Sequence, residues 1–431
     1  MNPFKKTARW IALKLALIFA GVASVAAPAR AEWSTYQGNA AHTGYVPGNF
    51  DASHLSLKWS ASYGPYSIGG LAVGGGAVYF DGPSVSVTAL NEQTGAVLWS
   101  NPFTYGVNRG QVSSTSAPAY ANGMVYYQTD NEQDVNLFHG VNATTGAQVF
   151  ATSYDAQWDV YLNPTPYGGN IYTGGGRYGG MYSYNAAGGS QNWFGNAGPY
   201  YTWTPAVDGK YAYCYTGSPG TDPRDGLFRM IDLATGSTTY LVTDILFQGN
   251  GDYMDSAVVL GSHNDAFAVD KVGGIYPYVS GTGRLICFST QADSTHTPHI
   301  AWVDSGYFKG QPTLANGVLY ANDGPDIVAL NELTGNILWS WTPPMGTPLS
   351  TMIATDNVLF VSTSIDTYAL DLTTHQVDWS YDITGNMALS DGTLFIAVPT
   401  GTVYAFATPE PSAIGFVILG FGLLMRSGRR D

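Results

Sequence analysis

The feature that most constrains this chain of 431 residues is a short motif that keeps returning. A small-residue turn is followed, five positions after its first residue, by an aromatic side chain. It reads TGAVLW at 94–99, TGAQVF at 145–150, GGSQNW at 188–193, TGSTTY at 235–240 and TGNILW at 334–339. TPHIAW at 297–302 and THQVDW at 374–379 are degenerate copies, and Trp59 in LSLKWSASY stands as an orphan aromatic ahead of them. The eight marks (Trp59, Trp99, Phe150, Trp193, Tyr240, Trp302, Trp339 and Trp379) lie about 46 residues apart on average, the spacing of a stacked repeat array whose units bury their apolar faces against each other.

A second signal runs in phase with the first. A tight-turn pair precedes an alternating aromatic strand at Gly75-Gly76, Asn122-Gly123, Gly169-Asn170, Asp208-Gly209, Gly273-Gly274, Asn316-Gly317, Asp356-Asn357 and Asp391-Gly392. Asn-Gly and Asp-Gly favour two-residue hairpins because both central positions tolerate positive φ. Each unit then reads as four antiparallel strands, which is a propeller blade. The last unit, at 385–407, has three strands and lacks a fourth, and the strand at 56–63 supplies it. Pairing the two closes the ring and removes exposed sheet edges. The sequence therefore predicts an all-β chain: an eight-bladed β-propeller of four-stranded antiparallel blades over 56–408, closed by an N-terminal strand completing the last blade. Residues 32–55 form a lead-in.

The phrases ALNEQTGAVLWS (89–100), ALNELTGNILWS (329–340) and ALDLTTHQVDWS (369–380) resemble the tryptophan-docking repeats of pyrroloquinoline-quinone (PQQ)-type propellers. EWSTYQGNAAHTGYVPG (32–48) is similar to the stretch that precedes the first blade in that family. The resemblance implies that Trp99, Trp339 and Trp379 pack between blades, and that Thr94-Gly95 and Thr334-Gly335 make outer hairpins. It also implies two functional classes, quinone-dependent dehydrogenases and cofactor-free scaffolds. Marks of the enzymes are missing: Cys214 and Cys287 are far apart in sequence, no C-x-x-C-H haem motif occurs, and neither calcium ligands nor a catalytic base can be placed. The two cysteines fall in strands of neighbouring repeats, where a disulfide and two buried thiols both remain open.

Both ends read as targeting segments. In 1–31, Lys5, Lys6 and Arg9 precede an apolar run that ends in Ala29-Arg30-Ala31, the pattern of a cleaved signal peptide. At 409–431, Pro409-Glu410-Pro411 precedes an apolar run and the basic residues Arg426, Arg429 and Arg430. This resembles the PEP-CTERM sorting signal of Gram-negative bacteria that make exopolysaccharide. The resemblance implies processing by an exosortase-type membrane protease, with transient anchoring before release to the outer surface or matrix. Of the 17 Lys and Arg, five lie in the leader and three in the tail, leaving nine; of the 31 Asp and Glu all but Glu410 and Asp431 remain, leaving 29. That imbalance excludes nucleic acid as a partner, since phosphate binding runs on Lys and Arg.

Loops entering the innermost strands would line one mouth of the channel, where Gln111, Tyr161, Tyr201, Trp203, Asp255 and Gln311 are the candidate ligand-binding residues. Asp130, Glu132 and Asp134 space oxygen ligands at alternate positions, as calcium loops do, without the glycine or distal Glu of an EF-hand. The glycine-rich run GGGRYG at 174–179 matches a dinucleotide pattern formally, but no helix follows it, so it reads as a loop. No residue is assigned a catalytic role. The expected function is a monomeric envelope or matrix propeller that holds a protein or exopolysaccharide ligand without a cofactor. The alternative is a PQQ- and calcium-dependent alcohol or sugar dehydrogenase.

Overall fold

The computed structural model describes residues 32–64, 68–82, 86–102, 114–130, 136–156, 162–176, 179–197, 203–216, 226–247, 253–272 and 282–409. Their strands form eight antiparallel sheets. In blade 1 the order from the axis outward is Leu71–Gly74, Ala77–Gly82, Ser86–Asn91 and Val97–Pro102. Blades 2 to 7 repeat this order, with the innermost strand of blades 2 and 5 split into two short pieces. Innermost strands of successive blades touch around a full circuit, blade 8 returning to blade 1. Blade 8 takes Asn386–Ser390, Thr393–Val398 and Thr402–Ala407 from the end of the array and Ser56–Ser62 from its start. Trp59 lies opposite Ala405, with a bulge between Leu57 and Trp59. The N-terminal strand thus closes the ring as expected.

Blade stacking explains the residue pattern. The second strands Ala77–Gly82, Tyr211–Thr216, Val358–Thr363 and Thr393–Val398 are buried at every position, because a neighbouring blade covers each face. They therefore read as unbroken apolar and aromatic runs. The outermost strand Ile337–Trp341 has no buried position and is exposed except at the half-buried Trp339 and Trp341. Among the described residues the helical elements are two 3-10 turns, Tyr36–Gly38 and Ala52–His54, and no helix is long and apolar enough to cross a membrane.

The recurring motif works at the outer hairpins. Asn91 Oδ1 accepts from the backbone N–H groups of Gln93 and Thr94 and from the Thr94 hydroxyl, each at 3.0 Å, which folds the turn. Asn142, Asp232 and Asn331 do the same for Thr145, Thr235 and Thr334. The next residue is a glycine at positive φ, 69° at Gly95 and 71° at Gly335. The aromatic of the preceding blade then lies on that glycine: Trp59 on Gly95, Trp99 on Gly146, Trp193 on Gly236, Trp302 on Gly335. The indole N–H donates to a backbone carbonyl of the same turn, as in Trp99 Nε1 to Ala143 O at 2.8 Å and Trp193 Nε1 to Leu233 O at 2.8 Å. Blade 7 has His375, φ 57°, in place of the glycine, and Trp339 stacks on its imidazole with centroids 4.3 Å apart.

Two expected hairpins sit elsewhere, and a third is built differently. In blade 3 the positive-φ pair is Gly168-Gly169, one residue earlier than Gly169-Asn170, and Asn170 begins the strand Asn170–Gly174. The Asp208-Gly209 turn is built by the aspartate, whose Oδ1 accepts from Lys210 N and Tyr211 N at 2.7 Å each. In blade 5 the inner hairpin is not at Gly273-Gly274. The second strand is Asp265–Val272, so the hairpin precedes it at 261–264, and Gly273-Gly274 lies outside the described residues. Alternation alone could not choose between two neighbouring stretches of similar composition.

Candidate functional site

The lead-in crosses the channel mouth at which each innermost strand ends. Trp33 bridges Val73 of blade 1, and Ser34 O accepts from Tyr120 N of blade 2 at 2.7 Å. Thr35 Oγ1 donates to Pro164 O at the start of blade 3 at 2.6 Å. The carbonyls of Ala40, Ala41, Thr43 and Gly44 accept from Val207, Leu260, Leu314 and Ala354 of blades 4 to 7 at 2.7 to 2.9 Å. His42 sits fully buried in this path, with Nδ1 3.1 Å from Val258 O and Nε2 3.2 Å from Thr165 Oγ1. A carbonyl only accepts, so Nδ1 carries the proton and Nε2 accepts from the threonine. Burial pushes the His42 pKa down to about 3, which keeps the ring neutral.

From this strap Tyr36 points up the axis. Its hydroxyl donates to Gln311 Oε1 at 3.2 Å, and Gln311 is tied on both sides to Ala257, accepting from its N–H at 2.9 Å and donating to its carbonyl at 3.3 Å. Burial, with Asp255 nearby, raises the Tyr36 pKa, so the phenol stays protonated. Above the strap lies an axial cavity of about 40 Å³ whose walls include Tyr36, Gln37, Gly70, Asn163 and Asn386. Gln37 is 3% exposed and its Nε2 has no hydrogen-bond partner.

Of the residues expected at the mouth, Gln311 and Asp255 are brought together beside the axis. Asp255 Oδ2 accepts from Gly310 N at 3.0 Å and pairs with Lys271 Nζ at 3.3 Å. Trp203 is 6% exposed and belongs to the apolar core between blades 3 and 4 with Tyr172, Val207 and Ala212, so its ring is packing rather than a presented face. Gln111, Tyr161 and Tyr201 lie outside the described residues, as do Glu132, Asp134, Glu410, Pro411, Arg426, Arg429, Arg430 and the leader 1–31. Asp130 ends the strand Met124–Asp130, and Pro409 is the last described position. Cys214 and Cys287 are both buried free thiols, in blades 4 and 5, and burial raises the Cys214 pKa to about 12. Such thiols are unreactive.

The cavity beside the strap is too small for a quinone, and the loops entering the innermost strands at 103–113, 157–161, 198–202 and 248–252 lie outside the described residues. A cavity of about 40 Å³ suits one or two waters, whereas a drug-sized ligand needs about 300 Å³ or more. Among the described residues no cluster of acidic or histidine ligands lies beside that cavity, and Asp255 is engaged by Lys271 and Gly310.

Among the described residues the grouping with metal-ligand character lies on the face crossed by the lead-in, between blades 5 and 6. One ligand atom each of His263, Asp265 and Glu332 fall within 4.8 Å of one another. Glu332 is 1% exposed and accepts from Ser262 N at 2.8 Å, and His263 Nδ1 lies 3.3 Å from Glu332 Oε2. Burial, and then the Glu332 carboxylate, raise the Asp265 pKa to about 6. The group has the donors to hold a small cation and equally the arrangement to share a proton. A second buried network, between blades 4 and 5, is structural: Arg284 Nη2 donates to Asp244 Oδ2 and Asp270 Oδ2 at 2.5 Å each, and the Tyr215 hydroxyl bridges the same carboxylates.

Ring closure, tryptophan docking on glycine turns and a strap across one mouth define an eight-bladed propeller of the PQQ-like repeat class. The chain belongs to the family described as outer membrane protein assembly factor BamB, whose profile matches residues 43–167 and 272–414. No curated protein matches it. Among solved structures it is similar to BamB from Moraxella catarrhalis, with TM-score 0.57, 14% identity, and coverage of 82% of this chain and 99% of that one. A europium-containing methanol dehydrogenase gives TM-score 0.62 at 14% identity over 88% of this chain and 98% of that one. The quinohemoprotein alcohol dehydrogenase from Comamonas testosteroni gives 0.60 at 15% over 88% and 82%. These likenesses establish the fold, which a scaffold and an oxidoreductase share.

Proposed function

We propose that this chain is a non-catalytic binding module of the cell envelope, holding a protein or polysaccharide partner. The observation that carries the reading is the strap. With residues 33–44 laid across the ring and Tyr36 bonded to Gln311, the described axis leaves a cavity of about 40 Å³. The mouth at which the innermost strands end is thus taken up by the chain itself, which leaves the outer surface of the blades among the places open to recognition. The family description, an outer-membrane assembly factor, supports an envelope partner. The leader at 1–31 and the Pro409-Glu410-Pro411 segment with its arginine cluster support export and exosortase-type sorting.

The test is calorimetry of the mature protein, isolated from cells expressing the full gene, against PQQ with and without calcium, followed by dye reduction with alcohols and sugars. We expect neither binding nor turnover. Binding with turnover would replace this reading by a quinoprotein dehydrogenase.

A further inference from the structure

Gly176 and Gly180, from the glycine-rich run, have no part in the strap or the tryptophan docking, yet the structure gives them a task. A Cβ on Gly180 would come within 2.3 Å of the Phe194 ring, and one on Gly176 within 2.9 Å. Gly176 also takes φ 92°. Only bare backbone lets Phe194, on the outer strand Gln191–Gly195, lie this close to the loop. Phe194 is 43% exposed, and unlike Leu241 and Val303 at the same place in blades 4 and 5 it presents an aromatic ring. Below it Tyr182 packs at 4.6 Å between centroids, tilted by 46°. Together they border a cleft of about 460 Å³ between blades 2 and 3.

The other wall is polar. Asp155, held by its backbone N–H donating to the Tyr182 hydroxyl at 3.0 Å, lines the cleft with the exposed amides of Gln191 and Asn196. A buried apolar anchor from a protein partner would want apolar walls on every side. One aromatic face ringed by a carboxylate and two amides instead fits a sugar: the C–H face of a pyranose lies on the ring, and its hydroxyls donate to Asp155 and exchange hydrogen bonds with the amides. Charge narrows the class. With 29 acidic and nine basic residues between 32 and 408, and Asp155 in the wall, an acidic glycan would be repelled.

We propose that the cleft bordered by Phe194, Tyr182, Asp155, Gln191 and Asn196 is a subsite for one or two pyranose units of a neutral polysaccharide. The proposal rests on the reading of the chain as a binding module and names its ligand class.

The test is titration of the mature protein with neutral hexasaccharides of gluco, galacto and manno configuration, with oligogalacturonate as the acidic counterpart and a proline-rich peptide as the protein-like one, read by calorimetry and saturation-transfer NMR. One neutral hexasaccharide should bind. Phe194→Ala should weaken it about tenfold, as loss of one aromatic contact implies, and Phe194→Tyr should restore it. Asp155→Ala should weaken it several-fold, and Leu338→Ala, on the distant blade 6, should leave it unchanged; melting curves confirm that each variant is folded. Binding unaffected by Phe194→Ala, preference for oligogalacturonate or the peptide, or no neutral sugar bound at millimolar concentration would each overturn the site. The quinone titration reports separately on the non-catalytic reading, so the two can fail independently.

Discussion

Two junctions of the ring carry the same motif and meet different neighbours. Between blades 8 and 1, Trp59 lies on Gly95 and donates to Glu92 O at 3.1 Å. Between blades 5 and 6, Trp302 lies on Gly335 and donates to Glu332 O at 3.3 Å. Both glutamates are 1% exposed. Across the first junction Ser390 donates to Glu92 at 3.3 Å from the two-residue hairpin Asp391-Gly392. Across the second, residues 261–264 form a longer hairpin, which brings Ser262, His263 and Asp265 to Glu332. The motif sets the scaffold, and the neighbour's hairpin decides what meets the glutamate: Ser390 at the first junction, Ser262 and His263 with Asp265 at the second.

Removing either indole should have the largest effect. Trp59→Ala and Trp302→Ala should each cost about 3 kcal/mol in urea unfolding, because both packing and an indole hydrogen bond are lost. Markedly unequal losses would show that the junctions are not equivalent as scaffolds. The glycines should rank below. Gly95→Ala and Gly335→Ala both force a side chain into positive φ, costing about 1–2 kcal/mol. Gly95→Ala should be the worse, since its Cβ meets Trp59 at 2.6 Å against 3.0 Å for Gly335 and Trp302. The smallest effect separates the junctions chemically. Asp265 is raised from the ordinary 3.8 to about 6, so its contribution to stability is full below 3.8 and is lost as the pH rises through 6. Asp265→Asn should therefore gain on the order of 1 kcal/mol relative to the parent on going from pH 4 to pH 7.5, allowing for solvent screening.

The scaffold was legible because its signals are periodic. Asx turns, glycines at positive φ and docking aromatics recur at fixed offsets, and the missing strand at one end matched the orphan at the other. The site was much less legible. The lead-in has no period, and nothing in EWSTYQGNAAHTGYVPG says that successive carbonyls will meet successive blades. Trp203 looked like a presented ring because it sits in a loop, but the interblade core takes it. Phe194 carried no signal at all: an apolar residue on an outer strand reads as ordinary packing until the glycines are seen to press against its ring. The Gln311 interaction could have been suspected only in its polarity, since its partner Tyr36 lies 275 positions away.

That distance bears on how the molecule comes to its native state. The lead-in precedes every blade in the chain, yet Phe50 finds Asn357 only after 307 further positions have been made. Contacts of such sequence separation slow folding, since the entropy of closing the loop is lost before any contact offsets it. The strap cannot complete its bonds until blade 7 exists, and the closing strand Ser56–Ser62 stays unpaired until blade 8 does. Closure then converts a row of blades into a ring with no loose terminal blade from which unfolding can start. The finished molecule should accordingly be long-lived beyond what its equilibrium stability suggests.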